Sequence, residues 1–337
     1  ESERLFQKQV FGLVAGLIVA LIVSLIDYHF ISRFYIVLYI INLGFLIAVK
    51  LYGQEWYGAT RWLDLKYFAF QPSELSKVIM IIVLAKIFTT FKDKIDTLPV
   101  ILLSGIVFAI PTYLILTQTD LSSSLVLIFI FLLMIYSAGL SYKIILPALV
   151  IGIPLLMGLF WYVQQDYQML LTPNQQQRVL SILNPEEFAS TMYQQDNSIT
   201  VIGSGQLTGK LLAEGEEGIL SDTYVPISES DFIFSVAGEA FGFIGVSVIL
   251  FLYIVIIIKC LIIAHNAPDH MGMLIATGVA SMFMFQVFIN IGVVTAILPN
   301  TGLPLPFLSY GLSSLISSML AIGLVLNISL QRKTRRR

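Results

Sequence analysis

Thiol and imidazole chemistry are almost missing from this chain. One cysteine, Cys260, in 337 residues excludes a disulfide framework and any cysteine-built metal site. Three scattered histidines argue against a histidine-built zinc site as well. Charge is also scarce: 12% of residues are charged, against roughly 25% in a soluble domain. No P-loop, no H-E-x-x-H pair and no nucleophile elbow occurs. Gly203-Ser-Gly205 followed by Gly209 falls short of a dinucleotide fingerprint and follows no strand signal. The formal charge of -2 says little until it is divided between the sides of a membrane, and no nucleic-acid partner is expected.

What is present is apolar. Hydrophobic residues make up 57% of the chain, which makes it an integral membrane protein with a single membrane domain over 1–337. Runs long enough to span, or nearly so, fall at about 9–26, 35–51, 73–90, 98–117, 122–139, 143–163, 232–258, 271–297 and 309–329, since roughly 20 residues cross the hydrocarbon core. The fold class is therefore all-α and polytopic, with nine spans in this numbering. The basic tail Arg332, Lys333, Arg335, Arg336 and Arg337 puts the C-terminus in the cytoplasm. Lys259, Lys143, Lys92, Lys94 and Arg33 then fall on the same side. The loop at 52–72 and the long loop at 164–231 fall outside. The long loop holds ten acids against Arg178 and Lys210, as an outer loop should, while Lys50, Arg61 and Lys66 dissent. An odd count leaves Glu1 outside, and Glu1–Lys8 reads as the end of a loop rather than a signal peptide, so ten helices are expected natively. No internal repeat supports an inverted-repeat transporter.

Ionisable groups within spans are costly and usually face a cavity or a partner. Phe70-Gln71-Pro72-Ser73-Glu74-Leu75-Ser76-Lys77 opens a helix with Pro72 in the first turn. Glu74 and Lys77, three apart, share a face and can simply pair. Trp56, Tyr57 and Trp62 suit an aromatic belt, whereas Arg61 beside Trp62 can grip a phosphate at headgroup depth. Asp120 sits in a tight outer turn and can cap the following helix. Asp231 stands where the long polar segment meets an apolar run. It, Ser228 or Ser230 can be an N-cap, or Asp231 can be a base at the rim of a cavity. Glu239 lies within about a quarter turn of the same face and about 12 Å deeper. His265, Asp269 and His270 read as a solvated cytoplasmic loop.

In the long loop, Gln177-Arg178, Leu183-Asn-Pro-Glu186 and Ile202-Gly-Ser-Gly-Gln-Leu-Thr-Gly-Lys210 stand out. The glycines allow positive-φ turns and anion-binding nests, with Lys210 adding charge. Pro299, Gly302, Pro304 and Pro306 must interrupt any helix, and backbone so irregular near a membrane is buried in protein or lines water.

In this order, Arg61-Trp62, Phe70-Gln-Pro-Ser-Glu74 with Lys77, Ile202-Gly-Ser-Gly205, Asp231-Phe-Ile-Phe234 with Gly238-Glu239, and Thr301-Gly-Leu-Pro-Leu-Pro-Phe-Leu-Ser-Tyr-Gly311 resemble the SEDS family (shape, elongation, division and sporulation), which holds the RodA and FtsW types. The resemblance covers nearly the whole chain. It implies a ten-helix glycosyltransferase of the bacterial cell membrane that polymerises lipid II into peptidoglycan strands beside a class B penicillin-binding protein. By motif, Asp231 matches the family's essential outer-loop aspartate, and Glu74 and Lys77 match its charged cavity pair. Gln71, Ser204, Ser309 and Tyr310 fall inside the remaining motifs as substrate-side candidates, with Trp62, Asp120 and Arg178. The chain departs from the pattern at Glu229-Ser230, where His-Thr is usual, and at Gly311-Leu312, where Gly-Gly is usual. Gly209-Lys210 resembles the RodA type and Asn290-Ile-Gly-Val-Val-Thr295 the FtsW type; the RodA type is preferred, with a role in elongation and shape.

On that resemblance, one inverting displacement needs a base, Asp231, and help for a departing pyrophosphate. That help would come from Arg61, Lys77, Arg178 or Lys210, alone or with a divalent cation, Mg or Mn. Glu229 is close enough in sequence to compete as base. The rival class is a lipid flippase with Glu74, Lys77 and Glu239 along a path. A path should show polar residues through the full depth, and here they gather toward the outer half.

Overall fold

The computed structural model describes residues 2–56, 59–64, 69–165, 167–171, 173–184, 188–213, 225 and 229–335. Tyr57, Lys66, Glu186, Ser228, Arg336 and Arg337 lie outside the described residues, and for Trp56, Arg332, Lys333 and Arg335 only the backbone is described.

In chain order the elements are α1 (Ser2–Leu25), α2 (Tyr28–Arg33) and α3 (Tyr35–Tyr52), then strands β1 (Gln54–Trp56), β2 (Ala59–Asp64) and β3 (Ala69–Phe70). The chain continues with α4 (Pro72–Thr90), α5 (Leu98–Thr117), α6 (Leu121–Ser137) and α7 (Tyr142–Val163). Next come α8 (Pro173–Leu183), α9 (Ala189–Ser204) and α10 (Lys210–Ala213), and finally α11 (Ile233–His265), α12 (His270–Val294) and α13 (Leu312–Arg335). Each of the nine apolar runs forms a helix. Among the described residues, seven helices are long and apolar enough to cross a bilayer. Of the other two, α6 has 17 residues and α4, with 19, carries Glu74, Lys77 and Lys86. The molecule is a multi-pass, all-α membrane protein.

Two helices form the centre. Both α4 and α12 are buried along most of their length, α4 against α3, α5, α6, α12 and α13, and α12 also against α11. At the outside of this layer α1 lies along α13, where small residues let the backbones approach: a Cβ at Gly323 would sit 2.8 Å from the Ala20 carbonyl oxygen. Helix α7 differs from all of these, because only Val163 at its end is buried. Its apolar surface is matched to lipid rather than to protein.

Alternate helices run in opposite directions, so the connections fall at two ends. One end gathers the strands, the 118–120 turn, α8–α10, Asp231 and the 295–311 segment. The far end holds a clasp in which the His29 ring bridges Asp27 Oδ1 at 2.8 Å and Asp269 Oδ2 at 2.7 Å, with the Tyr28 hydroxyl donating to Asp269 Oδ2 at 2.8 Å. The solvated loop expected around Asp269 is thus tied to the α1–α2 turn, and Asp269 also caps α12 through the Gly272 N–H.

Two features at the first end were not foreseen. The three short strands form an antiparallel sheet in the order β1-β2-β3, pairing Gln54 with Trp62 and Leu63 with Phe70. The long segment after α7 contains three helices rather than only irregular loop. The glycines in it have a packing role instead of forming an anion nest. A Cβ at Gly205 would meet the Gly238 carbonyl oxygen at 2.0 Å, and one at Gly209 would meet that of Ala240 at 2.2 Å. Opposite them α11 is broken at Gly242, whose φ of 63° and ψ of -167° lie in a region open essentially to glycine alone. The N–H groups of Phe243 and Ile244 donate to the carbonyls of Gln206 and Leu207, at 2.9 and 3.1 Å. Backbone is therefore laid against backbone, and only glycine leaves room for it.

Candidate active site

Strand β2 places Arg61 at the first end, where its side chain is buried. Its Nη2 donates to the Thr119 carbonyl at 2.5 Å, and its Nη1 lies 3.9 Å from Asp120 Oδ1. Thr119 has a φ of 60°, a left-handed conformation that turns its carbonyl toward Arg61 in the tight α5–α6 connection.

Asp120 caps α6 as expected, accepting from the Ser123 N–H at 3.1 Å. Its other oxygen accepts from Ser73 Oγ at 3.0 Å and Gln71 Nε2 at 3.3 Å. Burial pushes its carboxyl up, but Arg61 and the Ser123 N–H more than offset that and hold it below the ordinary value. Asp120 is therefore an ionised, fully committed group.

Asp231 has the opposite character. It does not cap α11: the cap position is Phe232, without any side-chain hydrogen bond. Its Oδ1 accepts only a long 3.4 Å hydrogen bond from Ser230 Oγ among the described residues. Its backbone is held firmly. Asn290 Nδ2 donates to the carbonyls of Asp231 at 2.8 Å and Leu303 at 2.7 Å, while Ser309 Oγ donates to the Ser230 carbonyl at 2.6 Å and accepts from the Leu305 N–H at 2.7 Å. Burial pushes the Asp231 carboxyl above the usual carboxylate range, and Arg61, Ser230 and Arg178 oppose this without cancelling it. Two carboxylates near one guanidinium are thereby driven apart in acidity, the pattern expected of groups with different tasks.

Gly302 joins them. Its φ is 67°, and a Cβ there would lie 3.1 Å from Asp231 Oδ2 and 3.6 Å from Arg61 Nη1. The irregular segment predicted from its prolines and Gly302 is thus the wall between base candidate and cation, and the Ser122 hydroxyl donates to its Thr301 carbonyl. A small cleft opens beside it, lined by Arg61, Thr119, Leu121, Gln175, Arg178, Val179, Pro299, Asn300 and Thr301. Arg178 reaches it from α8. Burial and the neighbouring Arg61 charge lower the Arg178 pKa, while Asp231 opposes.

The remaining sequence candidates divide into two groups. Glu74 and Lys77 pair at 2.7 Å with essentially no exposed surface, so they lie beneath the cleft rather than in its wall. Lys77 is still close enough to add to the field on Asp120. Lys210 pairs with buried Glu239 at 2.8 Å, and Ser204 Oγ stands 3.5 Å from the same carboxylate; together they fasten α9 and α10 to α11. Gln71 serves Asp120. Ser309 secures the backbone before Asp231. Tyr310 donates its N–H to the Glu229 carbonyl at 2.8 Å, and Glu229 is exposed. Trp62 is half-buried on β2.

Sequence reasoning did not name Asn290, Thr301 or Gln175 as site residues. Asn290 could have been found, since a carboxamide inside an apolar span needs a partner. Gln175 and Thr301 carry no such signal.

Residues 1–334 match a family described as cell cycle protein, covering FtsW, RodA and SpoVE. The chain is 36% identical over 300 residues to the peptidoglycan glycosyltransferase MrdB of Escherichia coli strain K12, spanning 88% of this chain and 78% of that protein. It is 35% identical over 295 residues to an FtsW of Geobacter sulfurreducens, spanning 86% and 75%. Among solved structures it superimposes on a chain of a peptidoglycan synthase complex that coordinates polymerization and crosslinking, with a TM-score of 0.82, 29% identity, and 97% and 90% coverage. The rod shape determining protein RodA of Thermus thermophilus gives a TM-score of 0.69 at 28% identity, covering 98% of this chain and 88% of that one.

Proposed function

Since the chain belongs to the cell cycle protein family of FtsW, RodA and SpoVE, we propose that it is a peptidoglycan glycosyltransferase polymerising lipid II, with Asp231 as its general base. The observation that carries this reading is the state of Asp231: released from capping, poorly hydrogen-bonded, raised in pKa by burial and set beside Arg61 at a cleft. A carboxylate in that state can accept a proton from an acceptor sugar hydroxyl.

The hydroxyl oxygen forms a bond to the anomeric carbon of the donor as the bond from that carbon to the diphosphate oxygen breaks. The hydroxyl proton passes to Asp231, and the bonding pair leaves on undecaprenyl diphosphate. The α-linked donor becomes a β-linked strand in this one inverting step. Arg61 keeps Asp120 ionised and its own guanidinium fixed, so the positive field at the cleft does not have to reorganise during transfer.

A divalent cation, Mg or Mn, would serve as a companion of the diphosphate; among the described residues no group of three His, Cys, Asp or Glu side chains is placed to hold one. The partner on this reading is a class B penicillin-binding protein that cross-links the strands; the similarity to a chain of a synthase complex supports it. The RodA-type role in elongation is supported by Gly209-Lys210 and by the RodA structures, although identity to the FtsW relative is nearly the same.

The test is polymerisation of lipid II by the purified chain, with and without the cross-linking partner and a chelator, across pH. Strand synthesis should fall as pH drops through the Asp231 pKa, giving an acid limb above the ordinary aspartate value of about 3.9. No polymer under any condition would refute the activity, and an acid limb at the ordinary value would put the base elsewhere.

The basic tail supports a cytoplasmic C-terminus, and on that orientation the cleft would open to the outer face. With Cys260 buried, a cysteine at exposed Thr200 should react with an impermeant reagent on intact cells and one at exposed Lys94 should not. The reverse pattern would invert the topology.

A further inference from the structure

Four cations were candidates to meet an anion, and their surroundings separate them. Lys77 is neutralised by Glu74 at 2.7 Å and has no exposed surface. Lys210 is held by Glu239 at 2.8 Å. Arg61 is committed to the Thr119 carbonyl and to Asp120. Arg178 has no hydrogen-bond acceptor and no ion-pair partner among the described residues, yet it lines the cleft and its charge faces both Arg61 and Asp231. A half-buried guanidinium set against a second one, with no acceptor among the described residues, is poised for an anion rather than for packing.

A second, independent observation falls in the same wall. The Thr301 side chain is 6% exposed, lines the cleft, and its Oγ1 has no hydrogen-bond partner among the described residues. The buried Arg61 Nε is also without one. Buried donors are rarely left unmade, because each costs free energy comparable to a lost hydrogen bond. Donors from β2, α8 and the 295–311 segment converge here, and what would satisfy them is an acceptor-rich anion such as a phosphate or diphosphate.

We infer that Arg178 is the anion-binding residue of the cleft, taking the diphosphate of the glycosyl donor together with the Thr301 hydroxyl. The identification of that anion as the donor's diphosphate rests on the reaction proposed above; the site itself does not. Arg61 holds Asp120 and lends its charge to Asp231, and Arg178 receives the negative charge that develops as the carbon–oxygen bond breaks.

The experiment is titration of inorganic pyrophosphate into the full chain in phosphatidylcholine nanodiscs, for the parent, Arg178→Gln, Arg178→Lys and Thr301→Val, with Lys143→Gln as a remote control. Melting curves show whether each variant is folded. Arg178→Gln should weaken binding at least about tenfold, the scale of one lost charge-assisted hydrogen bond, with Arg178→Lys intermediate, Thr301→Val several-fold weaker and Lys143→Gln unchanged. Equal affinity in the parent and a folded Arg178→Gln, or no binding to the parent, overturns the site. If Arg178→Gln does not fold, Arg178→Lys and Thr301→Val decide, and parental affinity in both overturns it. Displacement of pyrophosphate by undecaprenyl diphosphate supports the donor as its source. Equal displacement by phosphatidylglycerol would assign the site to lipid headgroups and overturn the donor assignment. Arg178-dependent binding in a chain that makes no polymer would leave the site standing and remove the proposed reaction.

Discussion

Asp231→Asn is expected to fold, to bind its cross-linking partner and to lose strand synthesis by about 10²–10⁴-fold, the usual effect of removing a positioned base. The amide keeps the shape of the carboxylate and can accept the hydrogen bond from Ser230 Oγ, but it cannot take up a proton. No helix cap is lost, because Phe232 occupies that position without a side-chain bond. Asn290 and Ser309 hold the backbone on either side regardless of the charge. Stability should therefore change by no more than about 1 kcal/mol, as for substitutions away from core and cap. Glu229→Gln is the necessary companion. Glu229 is exposed and lies outside the residues lining the cleft, so that variant should polymerise near the parental rate. Parental synthesis by Asp231→Asn with loss in Glu229→Gln would name the wrong carboxylate, and activity in both would end the base assignment.

The sequence could not make that choice between cap and base. A serine-rich stretch with Asp231 just before an apolar run is the same pattern for either. The difference lies in where α11 begins and in Arg61, Arg178 and Gly302, which approach from three distant parts of the chain. Asp120 was easier, since a tight turn between two long apolar runs leaves a capping aspartate few alternatives, and the cap is there. That each apolar run forms a helix was legible because a bilayer demands long uninterrupted apolar runs. Their neighbours were not. The burial of α4 and α12 and the isolation of α7 cannot be read from runs of equally apolar residues.

The glycines show a different limit. Gly205 and Gly209 suggested positive-φ turns and anion-binding nests, and nothing singled out Gly242. Their shared function is a seam between the α9–α10 connection and the break in α11, about 35 residues away in sequence, so no local pattern signals it. The same seam uses Lys210 and Glu239, which is why a lysine that looked available for substrate is paired. Glu74 and Lys77 likewise neutralise each other at the buried start of α4, which removes the exposed charges that a flippase path would need there.

That buried pair gives the second large effect. Lys77→Met alone should destabilise the protein by about 3–5 kcal/mol, because it leaves the Glu74 carboxylate buried and uncompensated. Glu74→Gln alone leaves the Lys77 charge in the same position and should be comparably damaging. Replacing both, as Glu74→Leu with Lys77→Met, exchanges the pair for apolar groups of similar size, a change that is often neutral or stabilising. Melting of the three variants tests the structural half of this argument, and a double variant no more stable than the singles would defeat it. The functional half is read in the folded double variant. Lys77 contributes to the positive field on Asp120, which orients Arg61, so its removal should reduce strand synthesis even where the fold is restored. Full activity in a stable double variant would show that the pair only secures α4. A stable but slow double variant would place its influence on the cleft through Asp120 and Arg61, without contact to substrate.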